Sequence, residues 1–426
     1  MKKSLLVTLM AFCVGLAVLF WSRMVVGGLP WPAYLYDAGR LLALTGFVLI
    51  TFQYVLSSRI QWIEKGIGLD NLFVIHRGCG AFGVLLLTAH PLLLLLSERL
   101  QGYATPLGFL KILGLVTLLL LWVTAGAVLI YGRIRIPYEA WKAVHRAGYA
   151  ILPLAFFHSF LIGSTLQRGS MRALWVILVL IYLSVLAEKI RRRYALRRHP
   201  FTVAAVTQET HDTWGLHFEG GHRDYAPGQF MFLQLKRKDN VSKSHPFTIA
   251  SSPARKGLSI CAKAVGDFTS TLGKTQPSDL AYIDMPFGVF SFLQHDAKRL
   301  VFIAGGIGIT PFMSMLRYIR DRKLKKELIL FWANKMEKDI AFRDELEKMA
   351  AEMPSLKVIH VLSREENWPG EKGRIHADTL KRHVGDFETG EFFVCGPPPM
   401  MSDIQKILSD LGVSKKRIHM ERFALR

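Results

Sequence analysis

Long uncharged apolar runs follow one another through the first 190 residues and limit what this chain can fold into. They cover residues 5–22, 41–58, 78–97, 112–132 and 147–167, with a shorter run at 173–187. A helix needs about 20 apolar residues, at ~1.5 Å each, to cross a ~30 Å hydrocarbon layer. Five runs reach that length. The sixth reaches it if Arg172, Glu188 and Lys189 extend their charged ends to the headgroups. A helix bundle in water would not string six such runs together, so six membrane-spanning helices are expected. The first run follows Lys2 and Lys3 as a secretion signal would, but it is long and lacks a small-residue cleavage site. It reads as an uncleaved span.

Charge then gives an orientation. The net charge of +21 by itself suits a nucleic-acid binder, but its distribution does not. Residues 1–198 hold 21 Lys/Arg against 6 Asp/Glu, and the remaining 228 hold 33 against 27. With the N-terminus inside, 15 of those 21 fall on the cytosolic side: Lys2, Lys3, Arg59, Lys65, Arg77, Arg133, Arg135, Lys142, Arg146 and six within 189–198. Arg23, Arg40, Arg99, Lys111, Arg168 and Arg172 fall outside. This is the positive-inside pattern of a multi-pass plasma (inner) membrane protein with cytoplasmic termini. Arg191-Arg192-Arg193 reads as a juxtamembrane lipid contact, and nucleic acid is not an expected partner. The cysteines, Cys13, Cys79, Cys261 and Cys395, are too scattered for a disulfide framework or a zinc site. There is no Asp-x-Asp-x-Asp-Gly calcium loop.

Four of the fourteen histidines lie in the apolar half: His76, His90, His145 and His158. Ionisable side chains inside a bilayer are costly and point to function. His76 and His90 are 14 residues apart, ~21 Å along a helix and nearly on one side of it. His145 and His158 are 13 apart, with Pro153 between them to bend the helix. If both helices run outward, His76 matches His145 in depth and His90 matches His158. Two helices that each offer imidazoles at two levels can hold two haems, each with two axial histidines. Histidines acting only as interhelical hydrogen-bonding groups are the plainer alternative.

From His199 onward the pattern changes. Residues 201–206, 230–235, 245–250 and 258–263 read as strands, and 266–272 as a glycine turn opening a short hydroxyl-capped helix. Such a helix start suits a pyrophosphate. The last third alternates strands and helices: a strand at 299–304, the turn Gly305-Gly306-Ile307-Gly308-Ile309-Thr310-Pro311, a helix to about Arg320, a strand at 328–333, a helix at 342–353, and strands at 357–362 and 392–395. A strand, a glycine loop and a helix in succession suit a nucleotide phosphate, although Pro311 replaces the third glycine of G-x-G-x-x-G.

Together these segments resemble the NADPH oxidase and ferric reductase superfamily, bacterial type, over nearly the whole chain. The histidine spacings match its haem-ligating spans. His245-Pro246-Phe247-Thr248 resembles its flavin box, with Pro227-Gly228-Gln229-Phe230 and Gly266-Asp267-Phe268-Thr269 as adjoining flavin segments and Lys263 ending the strand between. Gly305–Pro311 and Cys395-Gly396-Pro397 resemble its nicotinamide-nucleotide segments. The resemblance implies a six-helix haem domain at 1–190, a basic linker at 191–198, an antiparallel β-barrel FAD domain at 199–296 and a parallel-sheet α/β NADPH domain at 297–426. It implies that Thr248 and the Phe247 backbone hold the flavin ring, that His245 and the helix from Thr269 hold its phosphates, and that Gly306 and Gly308 allow close dinucleotide approach. Thr310 and Cys395 would lie near the nicotinamide, and Phe423 would cover the flavin. Ser363-Arg364 with Lys372 resembles a 2′-phosphate site, favouring NADPH over NADH. Arg40, near the outer end of the second span, would face a haem propionate or a nascent superoxide; interfacial snorkelling is the alternative. The implied activity carries electrons from NADPH through FAD and two b-type haems to molecular oxygen. Ferric chelates, or an extracytoplasmic redox partner protein, are the alternative acceptors.

Overall fold

The computed structural model describes residues 2–131, 138–221 and 224–421. They form two compact units, Met1–Arg192 and Arg193–Arg426, each considered by itself. Arg133, Arg135 and Phe423 lie outside the described residues.

The first unit is helical: α1 Lys2–Ser22, α2 Trp31–Leu56, α3 Gln61–Ile67, α4 Leu69–Leu100, α5 Phe109–Tyr131, α6 Tyr138–Ala147, α7 Ile151–Ile162 and α8 Gly169–Arg198. Residues 5–22 and 71–100 and the helices α2, α5 and α8 are each long and apolar enough to cross a membrane. Among the described residues that makes five continuous spans rather than the expected six. The fifth run yields only the twelve-residue α7, because 3-10 turns, Gly148–Ala150 and Ser164–Gln167, bound it, the first of them joining α6 to α7. Pro153 has no N–H for the Tyr149 carbonyl one turn back. Tyr182 Oη donates to that carbonyl at 2.9 Å, and Tyr54 Oη donates to the Gly148 carbonyl at 2.6 Å. The break is thus satisfied from α8 and α2. Phe47 stacks on Trp175 at 4.6 Å within a core that includes Phe52, Leu152 and Leu178. Leu85, Leu92, Leu119, Leu129 and Leu161 are exposed, as lipid-facing side chains would be. The expected linker at 191–198 is the end of α8.

The second unit has two sheets. β1 Phe201–Thr210, β2 Thr213–Glu219, β3 Phe230–Arg237, β4 Asn240–Val241, β5 His245–Thr248, β6 Leu258–Lys263 and β7 Leu280–Phe287 form an antiparallel sheet. Its order is β4-β3-β7-β1-β2-β6, with β5 added to β3. This sheet is open, not the expected closed barrel. β5 is only four residues long, and beyond it Ala250 N–H reaches the Ser259 carbonyl of β6 without a ladder forming.

β8 Arg299–Gly305, α9 Thr310–Asp321, β9 Glu327–Asn334, α10 Arg343–Glu352, β10 Leu356–Leu362, β11 Glu371–Lys372, α11 Ala377–Val384, β12 Glu391–Cys395, α12 Pro398–Asp410 and β13 Ile418–Glu421 complete the unit. The strands form a parallel sheet in the order β11-β10-β9-β8-β12-β13. Alternate residues of β8 enter two cores: Leu300 and Phe302 pack with α9 and α10, and Val301 and Ile303 pack with α11 and α12. This is the period-2 alternation of a sheet covered on both faces. The two sheets are pinned by Arg317 Nη1, which donates to the Ala250 carbonyl at 2.8 Å, and by Ser314 Oγ, which donates to the Ser251 carbonyl at 2.7 Å.

Candidate functional site

In the helical unit the four histidines lie on three helices: His76 and His90 on α4, His145 at the end of α6 and His158 on α7. The bend at Gly148–Ala150 falls between the last two. The His76 and His145 ring centroids are 6.1 Å apart. Two imidazoles bound to one metal at ~2.0 Å per bond have centroids roughly 6 Å apart, so this pair has the spacing of ligands to one metal. The Nδ1 atoms of His76 and His145 are buried without a hydrogen-bond partner among the described residues. Trp141 stacks parallel to His145 at 5.6 Å.

The other pair is oriented differently. His90 Nδ1 lies 2.9 Å from the Gly39 carbonyl of α2, and His158 Nδ1 lies 2.6 Å from the Leu110 carbonyl of α5. A donated Nδ1–H fixes the tautomer and leaves Nε2 as a ligand, the usual arrangement for metal-binding histidine. Glycines make the approach possible. A Cβ at Gly114 would lie 2.5 Å from His158 Cε1, and one at Gly39 would lie 3.1 Å from the His90 carbonyl oxygen. The spacing of His76 and His145 fits a bis-histidine haem, and His90 and His158 have the Nδ1 partners that a ligating Nε2 calls for. Arg40, next to Gly39, pairs with Asp37 at 3.4 Å, and its Nε and Nη2 are buried without a partner among the described residues. Two donors are therefore available to an anion.

In the second unit a cavity of about 230 Å³ is lined by Phe230, Pro246, Phe247, Thr248, Cys261, Lys263, Thr269, Ile307, Thr310 and Glu421, among others. It joins the expected flavin box to the first nucleotide loop. β5 pairs with β3, placing Thr248 opposite Phe230 and His245 opposite Leu233. His245 stacks on Phe268 at 4.1 Å. Lys263 reaches Asp212 at 3.0 Å. Gln229 does not face the cavity with a free amide: it accepts from Ala226 N–H and donates to the Gly288 carbonyl, both at 2.7 Å. Asp267 is exposed.

The expected capped helix at Thr269 is instead a six-residue 3-10 element, Thr269–Lys274, without a side-chain cap. The Thr269 hydroxyl accepts from the N–H groups of Val265 and Gly266, at 3.1 and 2.9 Å, and ties the glycine turn. Beside it stands Arg237, which sequence reasoning did not single out. Its guanidinium donates to Thr271 Oγ1 at 2.8 Å and Thr275 Oγ1 at 2.7 Å, and lies 5.9 Å from the Phe268 ring. Burial lowers its pKa from the ordinary value. Its signal, a cation ending an apolar strand, was indistinguishable from a solvated strand end.

The glycines at the nucleotide loops have distinct tasks. Gly306 takes φ +51 with open space at its Cβ position, as close ligand approach requires. A Cβ on Gly308 would overlap the Cys395 carbonyl, and one on Gly305 would meet Pro397 Cδ at 2.8 Å. A Cβ on Gly396 would lie 3.1 Å from Gly305 Cα. Gly308 is thus demanded by the packing of the two loops. Thr310 is buried, its hydroxyl donating to the Ile307 carbonyl at 3.0 Å, and Pro311 sits in the first turn of α9. Cys395 is fully buried, and burial first, then Glu421, pushes its thiol far above the usual range. Pro397 precedes α12.

Ser363 and Arg364 follow β10, their N–H groups bound to the carbonyls of Asn334 and Lys335 at 3.1 and 2.8 Å. Lys372 on β11 donates to the Glu366 carbonyl at 2.6 Å. All three side chains are exposed at this end of the parallel sheet. A larger polar cavity, about 440 Å³ and lined by His217, Arg317 and Glu345, contains none of the expected site residues.

Three family descriptions match the chain in order: "Ferric reductase like transmembrane component" at 42–156, "FAD-binding domain" at 211–303 and "Oxidoreductase NAD-binding domain" at 302–406. A glycine betaine monooxygenase reductase subunit of Pseudomonas aeruginosa is 30% identical over 240 residues, 54% of this chain and 65% of that protein. The gamma subunit of sulfhydrogenase 1 from Pyrococcus furiosus is 31% identical over 46% of this chain and 66% of its own length. The chain thus spans about 65% of these relatives. A flavohemoglobin structure from Malassezia yamatoensis matches in fold with TM-score 0.50 and 18% identity, over 92% of this chain and 98% of that one. The three matches give the chain the NADPH oxidase/ferric reductase architecture with a ferredoxin-reductase-like C-terminal part. In order along the chain, the matched segments are a membrane-spanning component and FAD- and NAD-binding domains.

Proposed function

On that architecture, we propose that the chain is a transmembrane NADPH oxidase. Electrons enter from cytosolic NADPH and leave to molecular oxygen on the outer face, forming superoxide. The observation that carries this reading is the 6.1 Å approach of His76 on α4 to His145 on α6, with His90 and His158 further along α4 and on α7. When bound, FAD supplies the change from hydride to single-electron transfer and the haems supply single-electron transfer across the membrane. His76 and His145 hold the inner haem, and His90 and His158 the outer one. Gly39 and Leu110 keep the outer imidazoles in the ligating tautomer. Arg40 places cationic density by the outer pair, where a propionate or an oxygen anion gains from it.

Thr248, Phe230 and Phe247 bind the flavin ring in the cavity, while His245 and Arg237 attract its phosphates. Thr310 and Gly306 orient the nicotinamide nucleotide. Arg364 and Lys372 take the 2′-phosphate. The complete bundle has six passes, with the α6–α7 element as the fifth, and both termini are cytoplasmic in the inner membrane. Ferric-chelate reduction is the second reading, favoured by the family description that matches residues 42–156. Delivery to a partner oxidoreductase has support in the "reductase subunit" names of the relatives.

A reduced-minus-oxidised spectrum of the purified protein tests the haem assignment. The expected result is a b-type bis-histidine signal whose amplitude falls by about half in His90→Ala/His158→Ala. An undiminished signal in that variant would sink the assignment. NADPH-driven cytochrome c reduction should be suppressed by superoxide dismutase. Insensitivity to the dismutase, together with rapid anaerobic reduction of ferric citrate, would make the chain a ferric reductase.

A further inference from the structure

The parallel sheet carries a second group of ligating side chains, apart from the strand ends that bear the glycine loops. Glu391 opens β12, and His419 lies on β13 opposite Phe393. His295 follows the 3-10 turn Phe292–Gln294. Period-2 alternation puts Glu391, Phe393 and His419 on one face. One ligand atom from each of His295, Glu391 and His419 lies within 4.8 Å of the others. His419 Nε2 is 2.6 Å from Glu391 Oε2, the His295 and His419 rings are 3.9 Å apart, and Phe393 is 4.7 Å from His419. All three ligating residues are half-buried.

An ion pair accounts for one histidine, not for two imidazoles brought to the same carboxylate. Two His and one carboxylate, with a side open to solvent, is the donor set of a zinc site that keeps one position for water. Neighbouring cations leave the carboxylate alone. Arg417 donates to the carbonyls of Gly390 and Phe387, and Arg299 pairs with Glu327 and Asp386. A second cluster, His211, Asp212 and Asp339, is equally tight, but the Lys263 ammonium stands 3.0 Å from Asp212 and would repel a metal.

We propose that His295, Glu391 and His419 bind one divalent transition-metal ion of the zinc class, through one ring nitrogen of each histidine and a carboxylate oxygen. Water fills the remaining position. The ion replaces the proton between His419 Nε2 and Glu391, and that proton leaves to solvent. Binding ties the edge strand β13 to β12 and to the segment before β8. Two residues beyond His419, Glu421 lines the flavin cavity, so the ion braces one wall of it.

The test uses the full chain in detergent, with affinity tag removed, stripped with chelator and titrated with Zn²⁺ and with Co²⁺. The wild type should bind one equivalent more than His295→Ala/His419→Ala, and should show visible Co²⁺ ligand-field bands that the variant lacks. Glu391→Gln keeps the side-chain shape and should weaken Zn²⁺ binding at least tenfold, roughly the smallest effect seen on disturbing a metal site. Retained FAD absorbance reports folding of both variants. If the double variant fails to fold, Glu391→Gln decides alone. Equal stoichiometry, affinity and Co²⁺ spectrum in the wild type and in the folded variants would overturn the proposal. None of these readouts depends on haem or on the acceptor.

Discussion

Arg364 and Lys372 set the choice of pyridine nucleotide at the level of single charges. A charge-assisted hydrogen bond to phosphate is worth ~1.5–3 kcal/mol, roughly 10- to 100-fold in affinity. Arg364→Ala should therefore raise KM for NADPH by that factor and leave KM for NADH nearly unchanged, and Lys372→Ala should do so more weakly. Steady-state kinetics with both nucleotides checks this; equal effects on the two would remove the 2′-phosphate site. At this scale the sequence was most informative about groups whose chemistry is unusual where they stand. The four histidines in or beside the apolar runs were legible because an ionisable group is expensive there. Their supporting groups were not: Gly114 and the Leu110 carbonyl look like any residues of an apolar helix until His158 rests on them. The partners of Gln229 were hidden as well. It sits in a flavin-like segment, but its amide is committed to the backbone of the turn.

Elements show where local pattern and packing part company. The run at 147–167 reads as one span, but Pro153 removes a donor, and the chain takes a 3-10 turn because Tyr54 and Tyr182 are placed to satisfy it. β2, β7 and β13 did not stand out in the sequence. β7 carries Pro286, which argues against a strand, and β13 is a half-buried edge strand of four residues. The loop after β8 was legible as a loop, while the reason for its third glycine lay on another element. Gly308→Ala drives a methyl into the Cys395 carbonyl and should destabilise the unit by about 1–3 kcal/mol, read as a lower temperature of FAD release. An unchanged release temperature would mean that the two loops part easily.

His217 on β2 supplies a pH signature. Burial, and then the charge of Arg317, hold its pKa below the ordinary histidine value. The unfolded chain therefore binds the proton more readily, and stability rises with pH through that range. Stability is full above pH ~6.5 and falls as pH drops below it. His217→Gln should flatten the fall in FAD-release temperature between about pH 7 and pH 5.5. A slope equal to that of the wild type would mean that His217 does not contribute.

For the whole molecule the testable quantity is orientation. Alkaline phosphatase fused after Gly28 should be active and after Ser58 inactive, and green fluorescent protein fused to the C-terminus should fluoresce. The opposite pattern would invert the proposed direction of electron flow. By itself the sequence determined the segment order, the apolar character of the first half and the match of His76 with His145, because hydropathy and periodicity are properties of contiguous residues. Only the tertiary structure decided that the antiparallel sheet stays open, that the fifth run gives a helix of only twelve residues and that Arg237 and His245 both lie against Phe268. It alone brought His295, Glu391 and His419 together across 124 positions of chain. Those outcomes depend on which carbonyls, rings and charges meet across distant segments, and no local pattern encodes such meetings.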